Sequence, residues 1–188
     1  MRWLITYLMF ISGLQVSVLA QNDGPYEHFI FWDEDNDLEW VDFDGLAKRY
    51  SDHGAYSFTG FMTEYRYSNG KHYALVRTYF DQELSWTKTW TNLLLRHEQG
   101  HFDIAEITAR EFRAEVQQRM ENRKMNATIF DSLRAEAIKK LNERQKEYDY
   151  STDYSLDFQA QEKWDHKIEQ RLQSLSQYIE PVITVEVR

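Results

Sequence analysis

The sequence predicts an α+β domain: a small antiparallel or mixed sheet packed on one long helix, with two further helices beside it. Three observations predict it. Residues 56–67 and 72–80 are rich in β-formers and flank Ser68-Asn69-Gly70-Lys71, a hairpin signal. The stretch from Leu93 to Arg113 is bounded by apolar residues and carries His97, Glu98, Gln99, Gly100 and His101, an HExxH pattern. Two later stretches place apolar residues at helical spacing: Ile129, Leu133, Ala137 and Leu141, then Trp164, Ile168 and Leu172.

The HExxH pattern has a direct physical meaning. Positions four apart on an α-helix nearly overlie each other, so His97 and His101 project from one face and can converge on one ion. Glu98 is rotated by about 100°, poorly placed as an equivalent ligand but well placed to reach water beside the ion. A carboxylate there can take a proton from that water and return it to a leaving amine. The pattern alone is short. Its apolar context, Leu93, Leu94 and Leu95 before it and Phe102, Ile104, Ala105 and Ile107 after it, points to a buried helix. Gly100 weakens that helix by about 1 kcal/mol relative to Ala, which is reasonable where another backbone or a substrate approaches closely. Zinc is the expected metal. A catalytic zinc needs three protein ligands, and the helix supplies two.

The 188 residues suffice for one domain with a core. The net charge of −9 and the lack of a long basic stretch argue against nucleic acid as a partner. The absence of cysteine removes disulfides, thiolate ligands and a cysteine nucleophile. At the N-terminus, Arg2 precedes an apolar run from Leu4 to Leu14, and Val18 and Ala20 stand at the −3 and −1 positions of a cleavage site. Residues 1–20 are therefore expected to be a signal peptide cut after Ala20. Residues 21–188 would form a single domain, secreted or periplasmic, with no membrane-spanning segment after cleavage. Its oligomeric state is open.

In order, the chain then predicts the following. Residues 29–32 form a short strand. Asp33 to Asp37 is an acidic turn without the ligand spacing of a calcium loop. Trp40 and Phe43 anchor the core. His53 is a surface residue, and His72, next to the hairpin turn, is weakly placed for metal. The hairpin flanks the motif helix, and an edge strand beside such a site can bind extended peptide by strand addition. Residues 81–88 connect to the helix, which runs from about Trp90 to about Met120, with the Glu106–Arg110 pair marking its solvated side. A break near residues 121–126 leads to a second helix over about 128–148. Asn126-Ala127-Thr128 matches a glycosylation sequon. Residues 148–157 form a loop returning to the site, residues 158–177 a third helix, and residues 182–187 a terminal strand after Pro181.

Four segments carry a resemblance: LEWVDFDG (38–45), FDQELSW (80–86), LLRHEQGHFDIAE (94–106) and YDYSTDYSLDFQAQEKWDHKI (148–168). With them the chain resembles the bacterial family of predicted secreted zinc-dependent proteases, DUF922. The resemblance implies an exported, zincin-like metallopeptidase acting on protein or peptide substrates. Where the family pattern has Thr-x-His before Gly or Ser, this chain has Thr152-Asp153-Tyr154-Ser155. The third ligand is then Tyr154, Asp149 or Asp153. Tyr154 could instead stabilise the oxyanion while Glu98 acts as general base. A member that keeps the fold as a catalytically weak or inactive binding protein of the cell envelope is the competing reading.

Overall fold

Asn69 and Gly70 dictate the first long-range element. Both take the left-handed conformation, φ 52° and 75°, which a two-residue hairpin turn requires and which Asn-Gly tolerates best. In the computed structural model, which describes residues 26–187, this turn joins β3 (Thr59–Ser68) to β4 (Lys71–Asp81). The register runs from Thr59 opposite Phe80 to Ser68 opposite Lys71. β4 is the central strand. Its other edge is shared end to end by β1 (Phe29–Phe31), which pairs with Tyr79 to Asp81, and by β6 (Val182–Glu186), which pairs with Lys71 to Leu75. Every pairing is antiparallel, so the sheet is not mixed. The connector after β4 also holds a short strand, β5 (Trp86–Thr87), paired antiparallel with β2 (Ala55–Tyr56).

Three helices follow: α1 (Asn92–Glu121), α2 (Ala127–Ser151) and α3 (Phe158–Ser174). Each begins at a side-chain cap. Thr91 accepts from the Leu94 amide at 3.2 Å, Asn126 from Ile129 at 2.9 Å, and Asp157 from Ala160 at 2.9 Å. The sequon asparagine is thus the N-cap of α2. The N-terminal segment adds a 3-10 turn at Trp40–Asp42. Phe43 is buried beside it, and Trp40 is partly buried against the same cluster. No helix of the described residues is long and apolar enough to cross a membrane. The expected signal peptide lies outside the described residues.

The strict alternation of β4 aims Ala74, Val76, Thr78 and Phe80 inward, all buried. They pack on α1. Val76 and Ala74 join Ala109, Phe112 and Val116, while Phe80 meets Phe102. The opposite side of α1 packs on α2 and α3 through Ile104, Ala105, Ile107, Leu141, Tyr148 and Ile168.

One sequence expectation fails here. The seven consecutive residues from Ile104 to Arg110 are all buried, so Glu106 and Arg110 do not mark a solvated side. Sheet on one side and helices on the other leave α1 no free face. Glu106 Oε1 accepts from Arg110 Nε and Arg113 Nη1, both at 2.9 Å; its Oε2 accepts from Arg113 Nη2 at 2.9 Å and Thr78 Oγ1 at 2.6 Å. The two guanidinium groups also reach the Val76 carbonyl on β4, the Leu172 carbonyl on α3, the carbonyls of Tyr178 and Ile179 leading into β6, and Glu34 after β1. One buried carboxylate and two arginines thus join α1 to the sheet, to α3 and to the C-terminal strand. Glu106→Gln would leave two buried guanidinium groups facing a neutral amide. Removing one partner of a buried ion pair costs about 3–5 kcal/mol. Urea unfolding should show that loss, whereas Glu143→Gln, which breaks an exposed pair with Lys139, should cost less than about 0.5 kcal/mol.

A second charged joint lies nearer the surface. Glu111 accepts from Arg144 and Lys140 of α2 and from Arg171 of α3. Burial alone would raise its pKa, but these bonds hold it down to about 2, from an ordinary 4.5. The folded state therefore binds this proton less readily than the unfolded chain. The stabilisation is complete above about pH 4.5 and is lost as pH falls toward 2. Glu111→Gln should flatten the acid limb of the stability curve in that window. At pH 7 it should cost roughly 1–2 kcal/mol, since solvent screens the outer partners.

Candidate metal centre

His97 and His101 lie one turn apart on α1, as the motif spacing predicts. What they meet comes from the last turn of α2. His97 Nε2 lies 3.2 Å and His101 Nε2 3.0 Å from the same atom, Asp149 Oδ1. One ligand atom from each of the three residues lies within 4.8 Å of the others. At bond lengths of roughly 2.0–2.1 Å, two ligand atoms on a tetrahedral zinc stand about 3.3 Å apart. The two distances to Asp149 are close to that edge. Asp149 is not in a loop, as the sequence suggested. α2 continues to Ser151, three residues past the expected end. Gln145, Tyr148, Asp149 and Thr152 consequently fall at i, i+3, i+4 and i+7, on one side of the helix end, and all four touch the two histidines.

The far ring nitrogens decide what the near ones can do. His97 Nδ1 lies 3.1 Å from Gln161 Oε1. The amide nitrogen of Gln161 is already committed to Tyr148 Oη at 2.6 Å and Asp165 Oδ1 at 2.7 Å. A carboxylate accepts only, so the Gln161 carbonyl must face His97, and Nδ1 must donate to it. His101 repeats this arrangement. Its Nδ1 is hydrogen-bonded to Gln145 Oε1, while Gln145 Nε2 donates to the His101 carbonyl at 2.9 Å and to Thr59 Oγ1 at 3.3 Å. With both protons held at Nδ1, each neutral ring presents a lone pair at Nε2. Two imidazole lone pairs and a carboxylate oxygen then converge with no donor among them. Such a set is stable only with a cation, a proton or a metal, at its centre.

The electrostatics agree. Burial alone would raise the Asp149 pKa, but the bonds from His101 and His97 push it well below the usual carboxylate range. Burial would lower the His101 pKa; the Asp149 bond and the charges of Glu98 and Asp149 outweigh it and raise the value. The cluster draws positive charge to itself.

Tyr148 is the packing centre. Its ring stacks on His97 at 4.5 Å and 15° and meets His101 edge-on at 5.0 Å. Its hydroxyl donates to the His97 carbonyl at 3.2 Å. Burial drives its pKa up, so it remains a neutral phenol. Gly100 is explained by this ring. A Cβ at Gly100 would stand 2.2 Å from the Tyr148 hydroxyl oxygen and 2.7 Å from the carbon bearing it. The close neighbour is a side chain, not another backbone or a substrate.

Glu98 is 3% exposed, and its Oε2 accepts from Ser57 Oγ at 2.6 Å. Ser57 and Thr59 thus bring the start of β3 against both Glu98 and Gln145. Tyr56 stands beside them, its phenol pKa raised by burial and by the Glu98 charge. Tyr154 lies past the end of α2 in a run of three left-handed residues, Asp153, Tyr154 and Ser155, at φ 48°, 53° and 74°. Non-glycine residues held there cost about 1–3 kcal/mol each and cluster at functional sites. The Tyr154 ring is 39% exposed and packs 5.4 Å from His53 and 5.8 Å from Tyr150. Asp153 is exposed. His72 is buried and bonded to the Tyr65 hydroxyl at 2.9 Å, and His53 is exposed. Neither belongs to the convergent set.

Gly100 gives a sharp check on this packing. Gly100→Ala gains roughly 1 kcal/mol of helix propensity but drives a methyl group into Tyr148. The net outcome should be destabilisation by more than about 1 kcal/mol, the usual range for overpacking. In a Tyr148→Ala background the same change should be neutral or stabilising. The double-mutant cycle, read by thermal unfolding, should therefore show strong non-additivity.

No curated protein and no solved structure matches this chain. A family model described as "Bacterial protein of unknown function (DUF922)" matches residues 72–155. Over that span, which holds His97, Glu98, His101, Gln145 and Asp149, the match supports the DUF922 family.

Proposed function

We propose that this protein is an exported, zincin-like zinc peptidase, with His97, His101 and Asp149 holding the metal. The observation that carries this reading is the convergence of two Nε2 lone pairs and Asp149 Oδ1, with both Nδ1 protons committed to glutamine carbonyls. Imidazole and carboxylate are donors that suit zinc, and three protein ligands leave one position open. When bound, zinc would supply Lewis acidity, polarising a carbonyl and making water acidic near neutral pH.

The chain's own groups supply the rest. Ser57 occupies one oxygen of Glu98, which leaves the other to accept a proton from water and return it to a leaving amine. A peptide substrate suits the sheet. Among the described residues β3 pairs only with β4, so no strand occupies its outer edge, and the Ser57–Thr59 segment at its start touches Glu98 and Gln145. Tyr154 is assigned the role of oxyanion donor rather than ligand. Desolvation, then its bond with Tyr150 and the Asp149 and Asp153 charges, raise its pKa, which favours a neutral O–H over the phenolate that zinc prefers.

The test combines metal analysis with a peptide-library digest. The wild-type chain should bind one zinc and cleave peptides. Asp149→Ala should lose the zinc. Glu98→Gln should keep it and lose cleavage by at least about a hundredfold, the usual contribution of a general base. Tyr154→Phe should lower the rate with little change in metal content. Cleavage surviving Glu98→Gln would remove Glu98 from its role, and zinc binding with no cleavage by the wild type would favour a binding protein of the envelope.

A further inference from the structure

A second face of α1 lies away from the histidines. Every third or fourth residue from Asn92 to Asp103, and every third or fourth from Asp165 to Ser176, lines one groove of about 1110 Å³ between α1, α3 and the segment after β1. We infer that this groove is a docking site for an extended basic peptide segment with apolar side chains.

Size, floor and charge each point to that occupant. Small-molecule pockets usually enclose about 300–1,000 Å³, so this groove has room for a chain. The α1 wall runs from Asn92 to Asp103, about 16 Å at 1.5 Å per residue. Roughly five residues of extended chain cover the same length. Leu95, Ile168, Leu172 and Trp32 supply an apolar surface along it. Six acidic residues line it, Asp33, Glu34, Asp37, Asp103, Asp165 and Glu169, against the single cation Arg96. Arg96 is already paired with Asp165 at 2.8 Å, and Glu34 with buried Arg110 at 3.5 Å. A ligand that fits must therefore bring both positive charge and apolar side chains. An apolar peptide would bring no cation to Asp33, Asp37, Asp103 and Glu169, and a nucleic acid would be repelled.

Asp103 is the best-prepared contact. The Trp32 indole and the Gln99 amide both donate to its Oδ1, each at 2.9 Å, so Oδ2 is left for a ligand. Gln99 is itself fixed, because its carbonyl accepts from the Leu38 amide at 2.8 Å. A lysine or arginine side chain would pair with Asp103 Oδ2. None of these groups is a ligand of the metal centre, so the groove stands without the zinc reading.

Fluorescence anisotropy of a labelled Lys-Leu-Lys-Leu-Lys peptide against the full chain, with and without a chelator, tests the site. The expected result is saturable one-to-one binding that survives chelation and no binding of the matching Glu-Leu peptide. Asp37 and Glu169 are exposed, so the double change Asp37→Lys and Glu169→Lys should leave the fold intact, verified by circular dichroism, and weaken binding at least tenfold. The same reversal at exposed Glu136 and Glu143 on α2 should change it less than twofold. Equal losses in both double variants would reduce the effect to general attraction by an acidic protein. Binding abolished by the chelator would place the peptide at the metal centre instead. Absence of saturable binding would also overturn the inference.

Discussion

Over the two turns from Ile104 to Arg110, α1 is enclosed by β4 on one side and by α2 and α3 on the other, so every polar group it carries there needs a partner inside the protein. The Glu106–Arg110–Arg113 cluster answers that requirement with no carboxylate oxygen left idle. The same arginines fix the positions of neighbours that share no sequence proximity. The carbonyls of Val76, Leu172, Tyr178 and Ile179 are each held by a guanidinium on α1. A buried ion cluster is weak evidence for net stability. Its effect here is positional: it sets where the sheet, α3 and the terminal strand stand relative to the helix bearing the histidines.

The N-terminal half of α1 obeys the same rule with one exception. Around His97 and His101 most polar groups have a complementary partner. Gln145 and Gln161 satisfy the Nδ1 protons, Tyr148 satisfies a backbone carbonyl, and Ser57 satisfies Glu98. Only at the meeting of the two Nε2 atoms with Asp149 do acceptors face acceptors. Three acceptors meeting in a largely buried place are short of a positive charge, which makes this a candidate site for a cation.

Much of this architecture was legible in the sequence, because its signals are local. The Asn69-Gly70 turn, the alternation of β4 and the i,i+4 histidines each depend on a few adjacent residues. What was not legible depends on what surrounds a helix. Glu106 and Arg110 have the spacing of a solvated pair, and that spacing is the same when both are buried; only the packing of β4 and α3 separates the two cases. The tyrosine- and aspartate-rich run after Tyr148 has the composition of a loop. It nevertheless stays helical through Ser151, and the Thr152 hydroxyl bonds back to the Tyr148 carbonyl before three left-handed residues end it. That extension puts Asp149 on the helix end, beside the two histidines, rather than in a loop. Gln161 lies 64 positions from His97, and no local pattern connects a glutamine on one helix with a histidine on another.

The glutamines also bear on the charge of the centre. Histidine ligands are often held by carboxylates, which add negative charge and make the ring more basic. Here both are held by amide carbonyls, which orient the ring without adding charge. The ionised groups nearest the centre are then Asp149 and Glu98, two negative charges. A divalent cation between two neutral imidazoles would make the cluster close to neutral, which lowers the cost of keeping it in a largely buried position. Further carboxylates in place of Gln145 and Gln161 would leave an excess of negative charge, weakening the Lewis acidity a bound metal could offer a substrate. On the proposed reading, the amides would favour an electrophilic centre, with Glu98 the nearby carboxylate outside the three convergent residues.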